Sequence, residues 1–153
     1  MTTSLLRRIT PVIGGLAAVL TLTVAARPAA PATEIVVYKS PTCGCCTKWV
    51  DYLRKQGFAV TVHDTSGMTA VKAELGVPDA VASCHTAMVG GYVIEGHVPA
   101  ADITRLLKEH PKVVGLAVPG MVTGSPGMEG GEPEHYKVVT FDVKGTTTTF
   151  SSY

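Results

Sequence analysis

This chain of 153 residues lacks any basic stretch that could grip nucleic acid or an anionic lipid surface. Lysine and arginine number 13 against 12 aspartate and glutamate, a net charge of +1. That balance excludes function through a polyelectrolyte surface. Cysteine is absent everywhere except at positions 43, 45, 46 and 84. A protein that used disulfides for rigidity would spread them across its loops. Clustered thiols, with a histidine beside the last, point instead to thiol redox chemistry or to capture of a soft metal ion.

The N-terminus indicates where such chemistry takes place. Arg7 and Arg8 precede an apolar run from Ile9 to Ala26. Ala30-Pro31-Ala32 fits a small-residue cleavage site, with Val24-Ala25-Ala26 as a second option. This is the layout of a secretory signal, expected over residues 1–32. An uncleaved anchor is the alternative, because the run approaches the ~17–25 residues of a membrane span. Pro11, Gly14 and Gly15 weaken it as a helix. Either way, residues 33–153 lie outside the cytoplasm. They carry ten lysine and arginine against twelve aspartate and glutamate, a charge of −2. Their length suits one core and one domain.

The pattern after residue 33 reads β-α-β-α-β-β-α. Glu34 to Lys39 is a β-branched and aromatic strand. Ser40-Pro41-Thr42 turns out of it, with Thr42 as the expected cap of the next helix. That helix runs to about Gln56, with Cys46, Trp49, Val50 and Leu53 on its apolar face and Gly57 as its stop. Phe58 to His63 alternates as a second strand. Met68 to Leu75 is a short helix. Ala87–Val89 and Tyr92–Glu95 form a hairpin around Gly90-Gly91. Pro99 opens a helix ending near His110, with Ile103, Leu106 and Leu107 inward. Residues 113–118 are apolar and lead into a Gly/Pro-rich loop that holds Pro-Gly-Met twice, at 119–121 and 126–128. Val138–Val143 and Thr146–Phe150 are expected to form a terminal hairpin at a sheet edge.

A cysteine motif between the first strand and first helix resembles the thioredoxin and glutaredoxin fold. A thiol at a helix N-terminus faces unpaired N–H groups, which stabilise its thiolate. Cys43 is expected there, with Cys46 three residues on. Those folds carry a proline-containing loop opposite this motif. Ser83-Cys84-His85-Thr86 takes its place and has no proline.

Two chemistries fit the thiols. In a redox site, Cys43 attacks and Cys46 resolves. In a metal site, Cys43, Cys45, Cys46 and Cys84 hold Cu(I), with Zn(II) the runner-up. Cys45 is superfluous to a dithiol enzyme. His85 reads equally as a surface residue or as a ligand to a second ion, because neighbours in an extended segment point to opposite sides. His63 and His97 fall near the same sheet end. His97 is the better candidate, since Gly96 permits close backbone approach. His110 and His135 read as surface residues, and Met68 and Met88 as core. Met121 and Met128 offer thioethers, either as soft ligands or as a lid over apolar surface.

Four stretches together resemble the CopG-like copper-resistance proteins over residues 34–143: Tyr38 to Trp49, Ser83 to Thr86, Gly90 to Pro99, and Leu116–Met121 with Gly124–Glu129. The resemblance implies a thioredoxin-like, periplasmic copper-binding protein of metal-resistance systems. It also implies a cysteine-rich site that interconverts Cu(I) and Cu(II), and an exchange of copper ions with other periplasmic copper-handling proteins. A thiol–disulfide oxidoreductase acting on exported proteins is the competing reading, requiring only Cys43 and Cys46.

Overall fold

A computed structural model describes residues 32–153. The expected export segment therefore lies outside the described residues, save for its last position. Among the described residues no helix is long and apolar enough to cross a membrane.

The elements are β1 (Glu34–Lys39), α1 (Gly44–Lys55), β2 (Ala59–Asp64), α2 (Met68–Glu74), a 3-10 turn (Asp79–Val81), β3 (His85–Val89), β4 (Tyr92–Glu95), α3 (Ala100–Glu109), β5 (Gly115–Ala117), β6 (Lys137–Phe141) and β7 (Thr147–Ser152). Seven strands form one sheet in the order β2-β1-β3-β4-β5-β6-β7. β1 runs parallel to β2 and antiparallel to β3, and β3 is antiparallel to β4. This half carries the glutaredoxin-like core. β5 adds parallel to β4 and continues antiparallel through β6 to β7. The fold is thus the expected α/β, thioredoxin-like core with a C-terminal hairpin. β5 was not foreseen, because three residues inside the apolar run 113–118 are too short to show a period.

Each face of the sheet has its own apolar layer. Trp49, Val50 and Leu53 of α1 pack with Ile103 and Leu106 of α3 over Ile35, Val37, Ala87 and Ile94. Val77, Val81, Val93, Ala117 and Phe141 form the second layer, with Met88 against it. Met68, expected in the core, is only half-buried at the start of α2. Alternation along β4 sends Val93 to one layer and Ile94 to the other. Trp49 is fully buried, and its indole N–H donates to the Val98 carbonyl at 3.0 Å.

Cys43, not Thr42, caps α1. Its sulfur accepts from the Cys46 N–H at 3.4 Å, while Thr42 stays in the preceding turn. Gly57 stops the helix at φ +91°, as expected.

The loop from residue 118 to 136 is pinned rather than loose. The Gly120 N–H donates to the Ala82 carbonyl at 3.3 Å, and the Ser83 hydroxyl donates to the Gly120 carbonyl. Gly127 lies against the first turn of α1. A Cβ there would stand 2.8 Å from the Trp49 nitrogen and 3.0 Å from the Cys45 carbonyl oxygen, and its φ is +86°. Gly127→Ala is therefore expected to destabilise the protein by about 1–3 kcal/mol, from overpacking against backbone plus left-handed strain. Urea denaturation measures it, with Gly130→Ala, where a Cβ would meet nothing within 4 Å, separating strain from packing.

Candidate metal centre

Three segments converge on the site: the first turn of α1, the bend that enters β3, and the residues after β4. The first supplies Cys43, Cys45 and Cys46. Cys43 and Cys46 are joined as a disulfide, and Cys45 and Cys84 are free. Cys45 Sγ lies 3.5 Å from Cys43 Sγ, and Cys46 Sγ lies 3.9 Å from the Cys84 carbonyl oxygen. All four sulfurs fall within 4.8 Å of one another.

A second group overlaps the first. Cys84 Sγ stands 3.2 Å from His85 Nδ1 and 3.1 Å from His97 Nε2. Both histidines are fully buried. The reading of His85 as a surface residue is thus corrected, as is the expectation that it points away from Cys84. Cys84 sits in a bend, where alternation of side chains does not hold. Below it, the His85 ring packs on Trp49 with centroids 4.3 Å apart.

The backbone fixes one proton position in this triad. His97 Nδ1 lies 2.7 Å from the Pro126 carbonyl oxygen, which can only accept, so Nδ1 carries the proton and Nε2 a lone pair aimed at Cys84. The Cys84 thiol has one proton to offer and two ring nitrogens beside it. His85 Nε2 is buried without a hydrogen-bond partner. Whichever tautomer His85 adopts, one polar atom stays unsatisfied. With its proton on Nδ1, His85 donates to Cys84 Sγ and the thiol donates to His97 Nε2, which leaves His85 Nε2 as the one orphan. Loss of those two protons would expose one sulfur and two imidazole nitrogens, a donor set that suits a soft or borderline cation.

Burial sets the protonation states. Desolvation, then the neighbouring Cys45, pushes the Cys84 thiol up to about 12. Desolvation, reinforced by His97 and Lys72, holds His85 well below the usual histidine range. Desolvation also lowers His97, opposed by the Pro126 carbonyl and by Glu129. Both rings are therefore neutral and ready to ligate at neutral pH.

The Cys84 bend is held from beneath by Glu95. This carboxylate is fully buried at the end of β4. Oε1 accepts from the Ser83 N–H at 2.6 Å and pairs with Lys72 of α2 at 2.5 Å, and Oε2 accepts from the Thr86 hydroxyl at 2.7 Å. Sequence reasoning missed both charges. The available signal was an acidic residue closing an otherwise apolar strand, Tyr92-Val93-Ile94-Glu95.

The remaining candidates separate. Met128 is half-buried and lines a cleft of about 400 Å³ with Cys45, Lys48 and Glu129. Met121 is 61% exposed; the first Pro-Gly-Met docks through the backbone of Gly120 and not through its thioether. His63 is exposed and stacks on Tyr38, and His110 and His135 lie on the surface.

Comparison with known proteins now adds to this geometry. A family model for glutaredoxin matches residues 35–77. A second, "Protein of unknown function, DUF411", matches residues 81–128. The two matches meet at the site, the first containing the α1 cysteines and the second Cys84, His85, His97 and the loop. A search of curated proteins found no match. Among solved structures, one described as "Copper resistance protein copG- Form 2" is 46% identical, covering 80% of this chain and 98% of its own, with a TM-score of 0.76. A Form 1 structure gives the same identity and coverage and a TM-score of 0.75. The chain belongs to the CopG family of copper resistance proteins. Within this chain the cysteine cluster forms a group that could hold a metal ion, and the Cys84-His85-His97 triad forms another.

Two measurements test this construction on metal-free protein. Glu95→Gln leaves Lys72 without its buried partner and is expected to cost about 3–5 kcal/mol. Adding Lys72→Met should recover part of that loss in urea denaturation. Acidification tests the histidines. Below pH ~6.5 an unfolded histidine binds a proton that buried His85 refuses, so stability falls as pH falls. From pH 6.5 to 5.5 the contribution is about 1 kcal/mol, and His85→Gln should remove it from the pH profile.

Proposed function

We propose that this is an exported, periplasmic copper-binding protein of metal resistance. Copper is its cargo, held as Cu(I) by Cys43, Cys45, Cys46 and Cys84, with His85 and His97 completing the site around Cys84. The observation that carries this reading is the overlap, at Cys84, of four sulfurs with two buried imidazoles. Thiolates are soft donors that favour Cu(I), whereas imidazole also serves Cu(II). A site offering both suits interconversion of the two oxidation states. Met128, beside Cys45 in the adjoining cleft, offers weak, exchangeable coordination to an ion on its way in or out. Other periplasmic copper-handling proteins are the expected donors and acceptors.

One observation favours the second reading, a thiol–disulfide oxidoreductase. Cys43 and Cys46 are paired at the start of α1, and Cys43 remains half-exposed. That reading leaves Cys45, Cys84 and the triad without a task.

Competition against a Cu(I) chelator, run beside a zinc chelator, separates the two. The reduced protein is expected to keep Cu(I) and surrender zinc; equal retention of both would defeat the copper assignment. Cys84→Ser should lose most of the bound copper with the fold intact by circular dichroism, because Cys84 belongs to both ligand groups. Full loading of that variant would show that the groups do not act together. An oxidoreductase, by contrast, keeps its dithiol activity when Cys45 and Cys84 are replaced.

A further inference from the structure

The cleft beside Cys45 does not end at that cysteine. It measures about 400 Å³, and Gly44, Lys48, Met128, Glu129, Gly130 and Gly131 stand in its walls. A second cleft, of about 350 Å³, is lined by Asp51, Tyr52 and Lys55, and again by Lys48 and Glu129. The shared residues join the two into one groove, with the exposed face of α1 on one side and the late loop on the other. From Cys45 to Lys55 the helix rises about 15 Å. An extended segment of about five residues spans that length.

Bare backbone lines the cysteine end. A Cβ added at Gly44 or Gly130 would meet nothing within 4 Å, and among the described residues Gly130 and Gly131 form no backbone–backbone hydrogen bond. A docked main chain finds close approach and available N–H and C=O groups there. The charges along the groove are uneven. Asp51 pairs with Arg54 at 3.2 Å, and the Glu129 carboxylate accepts from the Gly127 N–H at 2.8 Å. Among the described residues neither Lys48 nor Lys55 forms an ion pair, and both are exposed. They stand seven residues apart on one face of α1, about 10 Å along its axis. The groove thus has soft sulfur at one end, from Cys45 and Met128, and two unpaired cations along its helix wall.

Resting on the copper-binding reading, we propose that this groove docks an extended, acidic segment of a copper donor or acceptor. A methionine of that segment lies over Cys45, and two of its carboxylates lie on Lys48 and Lys55. Methionine is a soft donor that forms no disulfide in an oxidising compartment. Carboxylates three residues apart in an extended chain match the spacing of the two lysines. Transfer is ligand exchange. The bond from Cu(I) to the partner's thioether breaks, a bond to the Cys45 sulfur forms, and the thiol proton goes to solvent. No electron moves, so copper stays Cu(I). Contacts along the groove hold the thioether beside Cys45, which makes the exchange an effectively intramolecular step.

The test uses the reduced, metal-free protein under argon and two capped peptides loaded with Cu(I). One is Met-Gly-Glu-Gly-Gly-Glu, and the other is its neutral counterpart Met-Gly-Gln-Gly-Gly-Gln. Cu(I) in acetonitrile buffer is a third source that needs no docking. Uptake is timed in a stopped flow by the ultraviolet copper–thiolate absorption. The acidic peptide is expected to deliver copper at least about fivefold faster than the neutral one at low salt, with the advantage gone at ~1 M salt. Lys48→Glu with Lys55→Glu should erase that advantage, leave uptake from acetonitrile unchanged and create a preference for Met-Gly-Lys-Gly-Gly-Lys. If circular dichroism shows that variant unfolded, Lys48→Gln with Lys55→Gln makes the same comparison without the charge swap. Equal rates from the acidic and neutral peptides would overturn the groove and leave copper binding intact, as would an advantage that persists in the lysine variant. A dimer in size-exclusion chromatography that the variant abolishes would give the groove to a second copy of this chain and overturn the proposal. No uptake from any source, acetonitrile included, would overturn the copper-binding reading beneath it.

Discussion

A single buried carboxylate governs the geometry of the site. Glu95 ends β4 and is fully buried. Burying an unpaired charge is far more costly than burying a paired one, so the surrounding chain must supply partners. It does so from three elements: Lys72 of α2, Thr86 of β3 and the Ser83 amide of the bend. Satisfying Glu95 thereby fixes the bend, and the bend carries Cys84. The sulfur at the centre of both ligand groups owes its position to a charge that never touches it.

The loop between β5 and β6 works from the other side. Its two Pro-Gly-Met repeats make different contacts. The first clasps Ala82 and Ser83 through Gly120. The second seats Gly127 on the first turn of α1 and fixes the His97 tautomer through the Pro126 carbonyl. One loop thus touches each cysteine segment and sets the protonation of a histidine. In a ligating histidine, the bond made by the second nitrogen is what aims the first. The backbone carries most of this, which explains why glycine and proline recur there beside methionine.

Much of the fold was legible in the sequence because the core elements obey simple periods. The β-α-β-α-β-β-α order, the Gly57 stop and the Gly90-Gly91 turn all follow from local chemistry. Strand edges moved by a residue or two, and β5 escaped detection through shortness. At the site, the cysteine cluster and its helix start were readable, since a C-x-x-C after a strand has few structural homes. The histidines were harder. His85 gives no local sign of burial, and its convergence with Cys84 depends on a bend set by Glu95, ten residues away in sequence. Lys72 and Pro126 were invisible for the same reason. Their roles exist only after α2, β4 and the late loop have packed together.

Trp49 is the sole tryptophan of the chain. It lies beneath the centre, its ring against His85 and its backbone in the helix that holds Cys45 and Cys46 and is capped by Cys43. Imidazole, thiol, disulfide and bound copper differ in how they quench an excited indole. Its emission therefore comes from one place, shielded from solvent and one ring away from the ligands. A change of charge or oxidation state at those residues is therefore expected to alter the colour and lifetime of that light. The molecule carries a built-in optical gauge, and each step of its chemistry can be followed in real time without attaching a label.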